Sequence, residues 1–148
     1  GEVLEVDAAG VPEVAGGLEA LGGLPALRRL GLPSSAHGDL HHLANLTDLT
    51  LLDLNAARGV SGDLRSLARL EGLTKLVLAD TGVTGDLEGL ANLTALRLLD
   101  LTETRAAGEV RHLARMSQLQ ILYANGTSGI RGDLSYLAPL RGLEALAL

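Results

Sequence analysis

There is no cysteine, phenylalanine or tryptophan in this chain, and only two tyrosines, one methionine and four prolines. Without cysteine there are no disulfides, thiolate metal sites or cysteine nucleophiles. That absence weakly favours an intracellular or organellar setting but is also common outside the cell, so localisation stays open. Two tyrosines cannot make a base-stacking platform. The 12 basic side chains against 18 acidic ones, a net charge of -6, give the wrong sign for a nucleic-acid backbone. No run of about 18 uninterrupted apolar residues occurs, so no membrane-spanning helix is expected. Position 1 is Gly, with no charged-then-apolar leader behind it. This reads as a mature form or a fragment, with targeting information open.

What the chain has instead is leucine, 36 of its 148 residues. With 47% hydrophobic and 20% charged residues it can bury a core, and its length suits one domain. A core made almost wholly of one aliphatic residue points to many copies of one small packing unit. Five blocks open alike, at Gly38-Asp39-Leu40, Gly62-Asp63-Leu64, Gly85-Asp86-Leu87, Gly108-Glu109-Val110 and Gly132-Asp133-Leu134, in steps of 24, 23, 23 and 24 residues. The units are 16–37, 38–61, 62–84, 85–107 and 108–131, with a partial unit 1–15 before them and a truncated unit 132–148 after, all in one domain.

The hydrophobic period changes inside each unit. Leu64, Leu67, Leu70 and Leu73 recur every third residue, which suits a 3₁₀ turn or a loosely wound α-turn. Asp63 just before them can cap its free amides. Leu76-Val77-Leu78 switches to period two, a short strand, and Ala79-Asp80-Thr81-Gly82 turns the chain. Strands are expected near Leu30, Leu52, Leu76, Leu99, Leu122 and Leu146, with a weaker one near Leu4. They should form one parallel sheet, because no unit can bury its leucines alone.

The pattern LxxLxLxxTxVxGDLxxLxxLxx closely resembles the leucine-rich repeat, and its 23–24 residue period is most similar to the plant-type subclass. The resemblance covers nearly the whole chain. It implies an α/β solenoid: a right-handed superhelix with a curved parallel β-sheet on the concave side and short 3₁₀ or helical turns on the convex side. There are departures. The inward Asn is replaced by Thr81, Thr104 and Thr127, or by Ala57 and Ser35. The usual Ile-Pro after the Gly is Asp-Leu, which favours the helical turn over an extra convex strand.

If the strand leucines point inward, the residues between them line the concave face. The first column is Val3, Arg29, Leu51, Lys75, Leu98, Ile121 and Ala145. The second is Glu5, Gly31, Asp53, Val77, Asp100, Tyr123 and Ala147, and the third is Asp7, Pro33, Asn55, Ala79, Thr102 and Asn125. Leu51, Val77, Leu98, Ile121 and Tyr123 thus sit beside Asp53, Asp80, Asp100 and Glu103, an apolar patch with acidic neighbours of the kind that marks a partner site. Good strand formers would give the same aliphatic residues without a partner. The candidate partner-binding residues are Leu51, Asp53, Asn55, Lys75, Val77, Asp80, Leu98, Asp100, Thr102, Ile121, Tyr123 and Asn125. Their partner should be a protein with a basic and apolar contact surface.

Other chemistry has little support. His42 and His112 align three units apart, too far for one metal. The acids Asp39, Asp63, Asp86, Glu109 and Asp133 are better explained as caps than as a calcium ladder. No nucleophile or phosphate-loop context surrounds the serines or the glycine pairs. No cofactor, metal or catalytic residue is assigned. Sequons at Asn45, Asn92 and Asn125 are by-products of the repeat or marks of a glycosylated protein. The resemblance implies a non-enzymatic protein-interaction module. The alternatives are a structural subunit or fragment within a larger assembly, and the ectodomain of a leucine-rich repeat receptor.

Overall fold

The computed structural model describes residues 16–148 and the backbone of 4–7. Its strands are β1 (Leu4–Asp7), β2 (Leu27–Gly31), β3 (His37–Asp39), β4 (Leu51–Asp53), β5 (Gly59–Asp63), β6 (Lys75–Val77), β7 (Gly82–Asp86), β8 (Leu98–Asp100), β9 (Arg105–Glu109), β10 (Ile121–Tyr123), β11 (Gly129–Arg131) and β12 (Ala145–Ala147). They make two sheets, both wholly parallel: β1-β2-β4-β6-β8-β10-β12 and β3-β5-β7-β9-β11. Every unit supplies one strand to the first sheet, as the period-two segments predict. Between sheets each unit makes a four-residue 3₁₀ turn, for example Leu64–Leu67 and Leu87–Leu90.

The second sheet corrects an expectation. Asp-Leu in place of Ile-Pro was expected to favour a helical turn over a second strand, yet each complete unit has both. The second strand lies upstream of the Asp-Leu pair, in extended backbone that ends on the Asp, as in Gly82–Asp86. Asp-Leu therefore sets where the strand stops, because Asp86 turns its carboxylate back to accept from the Glu88 N–H at 2.8 Å and so caps the next turn. Asp39, Asp63 and Asp133 do the same. Glu109 does not cap; its longer side chain accepts from Arg131 Nε at 3.1 Å instead.

The glycine before each Asp answers two demands. Gly85 has φ +106°, and a Cβ there would meet Asp63 Oδ1 of the preceding unit at 2.5 Å. Gly108 stands in the same relation to Asp86. Only a residue without a side chain fits both the backbone and the neighbouring cap.

The core is a column of fully buried leucines running the length of the stack, among them Leu52, Leu64, Leu67, Leu70, Leu76, Leu87 and Leu99. The substituted Asn position is buried at Ala57, Thr81, Thr104 and Thr127, but Ser35 is exposed and Ala36 takes the buried place instead, because that unit is shorter by one to two residues and its turn is shifted by one. Thr81 and Thr104 donate to the carbonyls of Leu78 and Leu101 in their own units at 2.6 and 2.7 Å, while Thr127 donates across to Leu101 at 2.6 Å. Hydroxyls thus tie two turns internally and one turn to its neighbour.

The first strand differs from expectation in register. Glu5 pairs with Arg29 and Asp7 with Gly31, so Val6, not Leu4, sits opposite Leu30, with an irregularity between Leu4 and Glu5. The columns shift by two there, and Val3 falls outside the described residues. A two-residue slip keeps the same face of a strand, which is why alternation alone could not detect it.

Candidate functional site

Alternation in the three-residue strands decides which side chains reach the concave face. In β8, Leu99 is buried and Leu98 and Asp100 on either side are half-buried; β4 and β10 repeat this around Leu52 and Leu122. Pairing then carries the outward residues straight across the sheet. Leu51 lies opposite Lys75, Lys75 opposite Leu98, and Leu98 opposite Ile121. Asp53 lies opposite Val77, Val77 opposite Asp100, and Asp100 opposite Tyr123. With strands about 4.8 Å apart, these eight candidates form one continuous surface.

The remaining candidates flank it. Asn55, Thr102 and Asn125 follow in the turns that leave β4, β8 and β10. Asp80 stands in the turn after β6, beyond the strand, at φ +57°. Ala56 and Glu103 hold the same left-handed conformation in their units. It persists because each donates its N–H to the next unit: Ala56 to Ala79, Asp80 to Thr102 and Glu103 to Asn125, at 2.8–2.9 Å. Val77, expected in the apolar patch, is only 8% exposed. Flanked by strands on both sides, it offers a partner little surface. The accessible apolar set is therefore Leu51, Leu98, Ile121 and Tyr123, all half-buried.

The electrostatics are less uniform than three aspartates suggest. Lys75 Nζ reaches diagonally to Asp53 Oδ2 at 2.9 Å, a partly buried pair. Asp80 faces Arg58 at 3.5 Å in an exposed pair on the rim. Asp100 Oδ1 accepts from the Thr102 N–H at 2.9 Å, and no cation among the described residues pairs with it. The Lys75–Asp53 contact was missed at the level of sequence, although the columns put the two residues one strand apart and two residues out of step.

Beside the strand ends is a shallow recess of about 250 Å³, lined by Arg58, Asp80, Thr81, Gly82, Glu103 and Arg105. Acids and arginines alternate around it, and its one hydroxyl, on Thr81, donates to the Leu78 carbonyl. The capping aspartates each spend a carboxylate oxygen on a backbone N–H. No helix among the described residues is long and apolar enough to cross a membrane.

No family model and no curated protein matches the chain. Solved structures do. Internalin C2 of Listeria monocytogenes is similar at 27% identity and a TM-score of 0.72, over 98% of this chain and 60% of its own. The Arabidopsis receptor kinase HAESA, solved with the peptide hormone IDA and the co-receptor SERK1, is similar at 20% identity and a TM-score of 0.76, over 99% of this chain and 26% of its own. A leucine-rich repeat protein of Leptospira interrogans is similar at 18% identity and a TM-score of 0.65, over 88% of this chain and 33% of its own. The chain spans 60% of the length of internalin C2 and a third or less of the other two.

Proposed function

Taking as premise that the chain is a leucine-rich repeat solenoid, with no enzymatic chemistry in its fold, we propose that it is a protein-interaction module that receives its partner on the concave sheet. The observation that carries this is the set of half-buried Leu51, Leu98, Ile121 and Tyr123 on β4, β8 and β10, in register with Lys75 on the intervening β6 and with Asp53 and Asp100. A partner gains most by covering apolar surface that the fold leaves accessible. Tyr is also over-represented among interface hot spots. HAESA, similar in fold, is solved with a peptide hormone and a co-receptor, which supports a protein or peptide ligand here.

The test is selection of binders from a random 12-residue peptide library on the immobilised chain. Tyr123→Ala should weaken the selected peptides by about 1–3 kcal/mol, with the far-UV circular dichroism unchanged. A pool that binds Tyr123→Ala as tightly as the parent overturns the concave reading.

A second reading rests on another surface. Leu134, Leu146 and Leu148 are 56%, 44% and 49% exposed, whereas their counterparts Leu87, Leu99 and Leu101 are fully buried. Further repeat units or a neighbouring protein would cover these leucines alike, and only the second would make the chain a structural part of a larger assembly. Selected peptides that Leu146→Asp abolishes and Tyr123→Ala leaves alone would favour it.

A further inference from the structure

We infer that Asp100 and Tyr123 form the seat for one basic side chain, so that the segment received by the concave face presents a single arginine or lysine beside an apolar residue. This rests on the concave reading above and gives it a ligand chemistry.

Three aspartates line or border the face. Asp53 is held by Lys75 at 2.9 Å and Asp80 by Arg58 at 3.5 Å. Asp100 is left over. Its Oδ1 is fixed by the Thr102 N–H, and no hydrogen bond or ion pair occupies its second oxygen among the described residues. The carboxylate is thus oriented by its own backbone and remains unneutralised. Lys75 is the only lysine in the chain, and its ammonium is already engaged on the other side.

The surroundings of Asp100 are apolar. Val77 and Tyr123 stand directly opposite it on the two flanking strands, and Leu98 lies on the same face of its own strand. A half-buried carboxylate between such walls attracts a cation more strongly than one in open water, because less solvent screens it. The ring of Tyr123, one strand away, adds cation–π attraction for an ammonium or guanidinium group. A metal ion would find one carboxylate where a hard cation needs six or more oxygens. An anion would meet a like charge. Beside the seat, Leu98 and Ile121 face each other across β8 and β10 and lead to Ala145 on β12. That strip takes the apolar neighbour of the basic residue. On the rim, Glu103 is a second acid in no ion pair among the described residues, although Arg58 and Arg105 line the same recess.

The experiment sequences the peptide pool selected on the parent chain and measures one chosen peptide by fluorescence polarisation. The pool should carry Arg or Lys at one fixed position beside an aliphatic or aromatic residue. Replacing that residue by norleucine should cost about tenfold in Kd, and Asp100→Asn should cost the same and flatten the salt dependence. Asn keeps the acceptor for the Thr102 N–H, so the turn is preserved. The two changes together should cost no more than either alone, and Asp53→Asn should do much less. A pool without a fixed basic position overturns the inference, as does a double change whose losses add. If Tyr123→Ala abolishes binding while Asp100→Asn does not, the concave reading stands and the cation seat falls. If neither matters, or no peptide is retained, both fall.

Discussion

At each unit boundary a glycine and the aspartate of the unit before it share one small space. The Asp63 carboxylate caps the Arg65 N–H at 2.9 Å, and the same oxygen lies where a Gly85 side chain would begin. Gly85→Ala therefore adds strain at φ +106° to a collision and should cost about 1–3 kcal/mol or more. Asp63→Ala alone loses a cap, about 0.5–2 kcal/mol. Made together, the two should cost less than the sum of the singles, because the second removes the carboxylate the first collides with, although the Leu64 backbone N at 2.8 Å stays in place. Urea titration of the four proteins measures this, and simple additivity would sink the explanation. The recurring Gly-Asp was plain in the sequence, and so was the cap. The reason for the glycine was not, since it depends on an atom more than twenty residues away. The same limit hid Lys75–Asp53 and left Asp100 indistinguishable from Asp53. A column of letters gives side-chain positions but not which of two carboxylates a lysine chooses.

Among the elements, the strands of the first sheet were legible because period two against period three is a strong contrast, and six of them fall on the predicted leucines. The second sheet was not. Its strands, such as Gly59–Asp63, are short and glycine-bearing, with one buried valine, and such segments carry almost no period to detect. The 3₁₀ turns can be tested through their caps. The His41 backbone N–H, then the His41 ring, hold the Asp39 carboxyl below its ordinary value of 3.8. The Ser135 N–H lowers Asp133 likewise. A carboxylate whose acidity is strengthened by folding contributes stability above its unfolded value and loses it as the pH falls through the folded one. Urea midpoints should thus drop as the pH is taken below about 4. Asp39→Asn, which cannot ionise, should make the drop shallower. An equally steep drop in that variant would refute the assignment.

The whole molecule is a stack in which each unit leans on the next, so the cost of a lost leucine depends on its place along the stack as well as its burial. Leu76→Ala removes a fully buried side chain with units on both sides and should cost about 2–5 kcal/mol. Leu146→Ala, at the equivalent position in the last unit described and 44% exposed, should cost less than about 1 kcal/mol. Leu98, on the concave face, is half-buried, so Leu98→Ala should fall between them. Equal losses for all three in denaturant titrations would contradict the stacked core. At this scale the sequence was most informative, because a repeat this regular names its architecture. The extent of the apolar face was not legible, since the exposure of Val77 or Leu98 depends on how closely adjacent units pack.

Among the described residues, the principal contacts between elements run only between adjacent units. Mechanically, such a chain is a spool: the principal contacts hold each described turn to its neighbours. Pulled by its two ends, it should pay out one turn at a time, starting from an end. Each 23–24 residue unit should release roughly 80 Å of extended chain. An optical-tweezers trace is therefore expected to show a staircase of near-equal steps. One single rip of the whole length would mean that the turns are bound into a body stiffer than a row of neighbours.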